Sequence, residues 1–258
     1  MRYIHPAVWA GLLLNAALMA MLSMTLSYLR SLPPSEISTV DPSLFAALET
    51  LQPLMFPLLS IQAAAVGLIA SRIKAGIVLA IIAGFFELPA SLVYIIGCLL
   101  SHYRFKYSVF PSVAAHDQAQ AVFPSAYVSI LPYLALGGFA LGALCFVTGS
   151  RDWGLMAFSL GLAGSYLHSR AKKFYALSLH HTYFTVTPGL FADPLKILYS
   201  TVQAATLHAD KSIHFTIEAK PGQTLTLFWS LLKVEKKSRQ AALESLGTTL
   251  AAHYVPLY

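Results

Sequence analysis

Apolar residues run almost unbroken over five stretches of this chain, near 7–29, 54–71, 75–101, 128–148 and 153–168, and the polar positions gather between them. A helix needs about 20 apolar residues to cross the hydrocarbon core of a bilayer. Five transmembrane helices are therefore expected. Tyr and Trp recur at the ends of these stretches (Trp9, Tyr28, Tyr103, Tyr127, Trp153, Tyr166), where amphipathic rings suit the headgroup layer. The pattern changes after Ser169-Arg170-Ala171-Lys172-Lys173. Cations clustered directly behind an apolar run mark a helix leaving the membrane on its cytoplasmic side. The first domain is thus expected over 1–173 and a second, globular one over 174–258.

In the second domain the spacing shifts from helical to alternating. Segments 183–187, 212–218 and 223–228 are rich in β-branched and aromatic residues, and the latter two alternate cleanly. Pro188-Gly189, Ala209-Asp210 and Lys220-Pro221-Gly222 supply turns. Residues 235–252 predict a C-terminal amphipathic helix, with Val234, Ala241, Leu243, Leu246 and Leu250 on one side, and Gly247 allows a break in it.

The connections add detail. Asp41-Pro42-Ser43 is a helix-start signal and predicts a short surface helix over 44–51. Segment 102–126 opens with Tyr103-Arg104-Phe105-Lys106-Tyr107 and suits either an interfacial stretch, rings in the headgroups and cations on phosphate, or a plain loop. Only Gly149-Ser150-Arg151-Asp152 joins the last two spans, which forces an antiparallel hairpin. With five crossings, Arg30, Arg104, Lys106, Arg170, Lys172 and Lys173 share one side, and Arg2, Arg72, Lys74 and Arg151 the other. That bias expects the C-terminal domain in the cytoplasm and the N-terminus outside. The first apolar run is too long for a signal-peptide core and is expected to be retained.

Composition narrows the class. The 258 residues are 57% hydrophobic and 11% charged, where a soluble domain carries about a quarter charged. The net charge of +6 comes from cations at the ends of apolar runs, not from a basic stripe on a folded face, so nucleic-acid binding is not expected. Cys98 and Cys145 both fall inside apolar runs and offer neither a disulfide framework nor a zinc spacing.

Strands capped by one amphipathic helix, after a membrane hairpin, resemble the bacterial PH-like domains, and most of all the YcxB-like type. The residues that carry the likeness are Tyr183-Phe184-Thr185-Val186-Thr187 with Pro188-Gly189-Leu190-Phe191, then Ile197-Leu198-Tyr199-Ser200-Thr201-Val202. It covers the C-terminal domain alone. The resemblance implies an α+β PH-like domain, antiparallel strands plus a C-terminal helix, with no catalytic residues and a surface for protein or lipid contact. It also implies a bacterial inner membrane.

Candidate chemistry is sparse. Glu87 stands in an apolar run with Pro89 two residues on. A carboxylate at mid-bilayer costs about 3 kcal/mol, and proline removes a backbone hydrogen bond. Either Glu87 is a proton-coupled or ligand-contacting site, or it is protonated at neutral pH, bonds to Asn15, Gln62 or a carbonyl loosened by Pro89, and serves helix packing. His180-His181, His208, His214, His102, His116 and Asp117 suggest a metal, but neighbours on a strand point to opposite faces and no preorganised pair occurs. No metal or other cofactor is expected. Nucleophile elbows and phosphate loops are absent as well, so no enzyme is expected. Arg170, Lys172, Lys173, Lys236, Lys237 and Arg239, with Arg104 and Lys106, are the candidate lipid contacts, against the alternative of an ordinary solvated face. The expected function is a non-enzymatic scaffold or accessory protein of the inner membrane, with lipids and a protein partner or second copy as its contacts. The alternative is a small transporter or channel component that uses Glu87.

Overall fold

A computed structural model describes residues 4–33, 42–85, 87–88, 91–111, 119–255 and 257–258 of the chain. Asp41, Pro89, His116 and Asp117 lie outside the described residues, as does most of the polar stretch 112–120. The structure divides into two compact units, Met1–Phe105 and Lys106–Tyr258. The division expected from composition fell at 173/174; contacts put it at 105/106, because the last two long helices belong with the strands.

Among its described residues the first unit holds four helices. Helix α1 (Pro6–Ser31) starts with proline at its first position, where no intrahelical N–H is needed, and the His5 ring accepts from the Ala7 amide at 3.2 Å. Helix α2 (Pro42–Ala70) runs 29 residues through Pro53 and Pro57. The short surface helix expected over 44–51 is therefore the first part of one long helix; its apolar stripe simply continues past both prolines, which membrane helices tolerate. α1 and α2 are antiparallel, since Arg30 meets Glu49 at 3.2 Å and Asn15 meets Gln62 at 3.0 Å.

The single span expected over 75–101 is a correction. It forms two helices, α3 (Ala75–Phe85) and α4 (Leu92–Lys106), joined by a turn at Glu87 and Leu88. The Ser91 hydroxyl donates to the Gly84 carbonyl across this turn. α3 descends along α2, from Gly76 beside Ile69 to Glu87 beside Gln62. α4 climbs back along α1, from Tyr94 beside Gly11, through Gly97 beside Val8, to Ser101, whose hydroxyl accepts from the His5 amide at 2.9 Å. The approach is close: a methyl group added at Gly11 would stand 2.4 Å from the Tyr94 nitrogen, and one at Gly97 2.5 Å from that of Val8. The start of α3 and the end of α4 thus lie at the same end of the unit as His5.

In the second unit a helical hairpin is inserted into a sheet. Strand β1 (Ala121–Phe123) leads into α5 (Tyr127–Val147) and α6 (Arg151–Lys173), and the chain returns as β2 (Leu177–Leu179) beside β1, with Ala121 opposite Leu179 and Phe123 opposite Leu177. Strands β3 (Tyr183–Val186) and β4 (Leu195–Leu198) complete an antiparallel sheet in the order β1-β2-β3-β4. Strands β5 (Val202–Leu207), β6 (Ser212–Lys220) and β7 (Gln223–Ser230) form a second, antiparallel sheet of three. A 3-10 turn at Lys236–Ser238 precedes α7 (Arg239–Ala252), which runs unbroken through Gly247. Phe123, Leu177, Phe184, Tyr199, Phe215, Trp229, Leu246 and Leu250 share one core, so both sheets and α7 bury against each other. The segment expected to be interfacial or loop thus contributes a strand and a core residue to this unit.

Among the described residues, three helical stretches are long and apolar enough to cross a membrane: Pro6–Ser31, Leu48–Ala70 and Tyr127–Val147. The expectation of five was too many by this measure, since 75–101 is split and α6 carries more polar residues. α5 and α6 pack along small residues; a methyl group at Gly138 would stand 2.6 Å from the Gly161 nitrogen. Their outer faces leave Tyr133, Leu134, Leu136, Leu144, Trp153 and Leu160 exposed. An apolar surface of this extent needs a non-aqueous surrounding.

Candidate functional site

Two constellations stand out, one in each unit. In the first, the polar residues singled out in the sequence meet. Asn15 and Gln62 are buried on facing sides of α1 and α2, at 2% and 0% exposure. Asn15 Nδ2 donates to Gln62 Oε1 at 3.0 Å, and Gln62 Nε2 donates to Glu87 Oε2 at 2.6 Å. Tyr94 on α4 donates its hydroxyl to the Gln62 backbone carbonyl at 2.8 Å. All four helices are thereby tied at one level. Glu87 Oε1 and Asn15 Oδ1 are buried and receive no donor among the described residues. Glu87 is bonded as the packing interpretation expected, through Gln62 to Asn15; Tyr94 was missed, because an aromatic residue in an apolar run gives no signal of its own.

In the second unit the basic residues sort into two kinds. Arg170 turns inward: its NH2 group meets Asp193 Oδ1 at 2.7 Å, its Nε donates to the Leu190 carbonyl at 3.3 Å, and its guanidinium lies 5.0 Å from the centre of the Phe174 ring. Arg239 likewise donates to the carbonyls of Val234 and Leu232, both at 3.0 Å. These two hold the fold together. Lys172, Lys173, Lys236 and Lys237 are exposed, Lys237 with Glu235 at 3.3 Å. Lys106 is exposed with its ammonium 5.3 Å from the Tyr107 ring centre, and Arg104 is half-buried on α4 in the first unit.

The exposed lysines gather where the hairpin leaves the sheet. The Ala126 amide, just before α5, donates to the Lys233 carbonyl at 2.7 Å, and the Glu235 amide donates to the Pro124 carbonyl at 3.0 Å. Segment 233–235 is therefore laced to the root of the hairpin, with Lys236 and Lys237 directly after it and Lys172 and Lys173 at the end of α6. Lys233 itself is half-buried and donates to the Pro188 carbonyl. Burial, with Lys106 adding repulsion, holds its ammonium below the ordinary lysine range.

The histidines diverge. His180 is buried, stacks on Tyr183 with centroids 4.2 Å apart and meets the Ser178 hydroxyl at 3.0 Å, while His181 is exposed beside Gln120. His208 and His214 lie 3.8 Å apart at the β5–β6 turn, where Ser212 donates two hydrogen bonds that hold the Asp210 carboxyl below its usual range. Among the described residues no group of three or more His, Cys, Asp or Glu could hold a metal ion.

Comparison with protein-family models, with curated proteins and with solved structures returns no match for this chain.

Proposed function

We propose that this chain is a non-enzymatic scaffold or accessory protein of the bacterial inner membrane, which holds a PH-like domain against the cytoplasmic lipid surface. Support for the fold comes from the four-plus-three antiparallel strands with a C-terminal helix, the arrangement that the resemblance implies. The observation that carries the lipid contact is the bonding of 233–235 to the hairpin root. It keeps Lys236 and Lys237 within a few residues of the point where α5 enters the membrane, beside Lys172 and Lys173. Each cation near an anionic surface contributes about 1 kcal/mol. A protein partner or a second copy would meet the remaining strand surface.

Sidedness follows from the fold-back of α3 and α4. Helices of 11 and 15 residues are about 16 and 22 Å long, enough to dip into the membrane and return, so they make a re-entrant hairpin and not a crossing. The chain then crosses four times, in α1, α2, α5 and α6. Arg2, Arg72, Lys74, Arg104, Lys106, Arg170, Lys172 and Lys173 fall on one side, and only Arg30 and Arg151 on the other. This bias is far stronger than that of the five-span arrangement, and it moves the N-terminus to the cytoplasm.

The test uses the full-length protein reconstituted in vesicles of neutral or of anionic lipid, labelled with a water-soluble lysine-acetylating reagent. Lys172, Lys173, Lys236 and Lys237 are expected to react more slowly in anionic vesicles at low salt and to recover at high salt. Equal labelling in both lipids would sink the lipid contact.

A further inference from the structure

We propose that Glu87 is a proton-binding site set near mid-membrane depth by the α3–α4 turn, and that loading it reverses the hydrogen-bond direction of Gln62 and Asn15. It rests on the re-entrant placement of α3 and α4 proposed above, though not on the scaffold role. Depth comes first. Gln62 lies eight residues before the end of α2 and Asn15 nine residues into α1, which places the row about 12–14 Å from the helix ends. That is close to half of a core about 30 Å thick. Glu87 reaches this depth because α3 stops there, and the turn replaces the continuous span that would have carried it past.

The row is short of hydrogens. Its donors all point toward the carboxylate, from Asn15 to Gln62 and from Gln62 to Glu87, while Glu87 Oε1 and Asn15 Oδ1 are buried acceptors with no donor among the described residues. Buried polar atoms are rarely left in this state. A proton arriving at Glu87 Oε2 forms an O–H bond there and turns that atom into a donor. Gln62 then turns its amide over and presents Oε1 to the acid, so its Nε2 faces Asn15. The Asn15 amide turns over in response and accepts through Oδ1. Two hydrogen bonds exist before and two after; one proton has been added and one negative charge removed. The other titratable groups at this level are Tyr94, which also interacts with Glu87, and Cys98 one turn further along α4. α1 and α2 contribute only the two amides, and no Lys, Arg or His pairs with Glu87 among the described residues. Tyr94 bonds the backbone of Gln62 and leaves its side chain able to rotate.

The test is infrared difference spectroscopy across pH on the full-length protein in neutral vesicles. Wild type is expected to show a protonated-carboxyl band that grows on acidification and shifts in heavy water, accompanied by changes in side-chain amide bands. The Glu87 component of both, read as wild type minus variant because ten other Asp and Glu carboxyls also titrate, is lost in Glu87→Gln, which keeps a partner for Gln62 in nearly the same volume. Glu87→Asp keeps a carboxyl band at a new position, so the test stays decisive even where the amide variant does not assemble. Gln62→Met keeps the band but moves its frequency, since the acid has lost its acceptor. The same pH-difference spectrum in wild type and Glu87→Gln overturns the site. A carboxyl band without amide changes, or one unmoved by Gln62→Met, overturns the reversal.

Discussion

Lys233 shows how a single residue can report on the root of the membrane hairpin. Its ammonium is half-buried and bonded to the Pro188 carbonyl, and its folded pKa lies below the unfolded one. The unfolded chain therefore holds its proton to higher pH, so stability rises as pH climbs from the folded value toward about 10.4. Lys233→Met should flatten that rise in denaturant unfolding measured across the alkaline range. A rise of unchanged size in the variant would show that Lys233 is not its source. None of this was legible beforehand, because Lys233 sits in a basic run and only the fold separates it from its exposed neighbours. Glu87 is the opposite case. A carboxylate in a greasy run has few polar neighbours to choose from, so Asn15 and Gln62 could be named as partners from the sequence. Arg170 was grouped with lipid-facing cations because Asp193, its partner, lies 23 residues away on a loop that no local pattern ties to it.

At the scale of elements, periodicity served well where alternation was long. Strands β6 and β7 stand where 212–218 and 223–228 were expected, with ends a residue or two further on. It missed β1 and β2, at three residues each, β4 at four and β5 at six, since so short a segment carries little period. It also fused α3 and α4, because an apolar run of 75–101 looks the same whether it crosses or turns back. The turn is fixed by side chains that reach across it, Ser91 to Gly84 and Glu87 to Gln62, and these are tertiary facts. One contact joins elements decisively: Arg170 on α6 to Asp193 in the loop before β4, with side chains only 11% and 20% exposed. Removing one member of such a pair leaves the other charge in a poorly solvated place, at about 3 kcal/mol. Arg170→Ala should lower the stability of the second unit by roughly that amount and speed proteolysis between β3 and β4. A loss below about 0.5 kcal/mol would put the pair among ordinary surface contacts.

For the whole molecule, the proposed re-entrant placement of α3 and α4 sets the count of crossings at four and puts both termini on one side. Reporter fusions at the two termini should therefore give the same cytoplasmic signal, and reporters placed in the α1–α2 connection or at Gly149 the opposite one. Termini on opposite sides would restore an odd number of crossings. Composition and spacing alone separated a long apolar part of the chain from a strand-rich part. Charge density changes at Lys173, whereas the packing of the strand unit begins with residues that precede α5.

That early beginning imposes an order of assembly. β1 is made first, yet its partner β2 emerges from the ribosome only after the two helices between them have been made. Phe123 must wait outside its core through that interval, and the sheet can shut only once β2 has come back beside β1. A fragment cut at residue 174 would never shut at all: it would lack its outermost strand and leave β2 as a raw edge. Closure of this sheet thus waits on completion of the hairpin that is inserted into it.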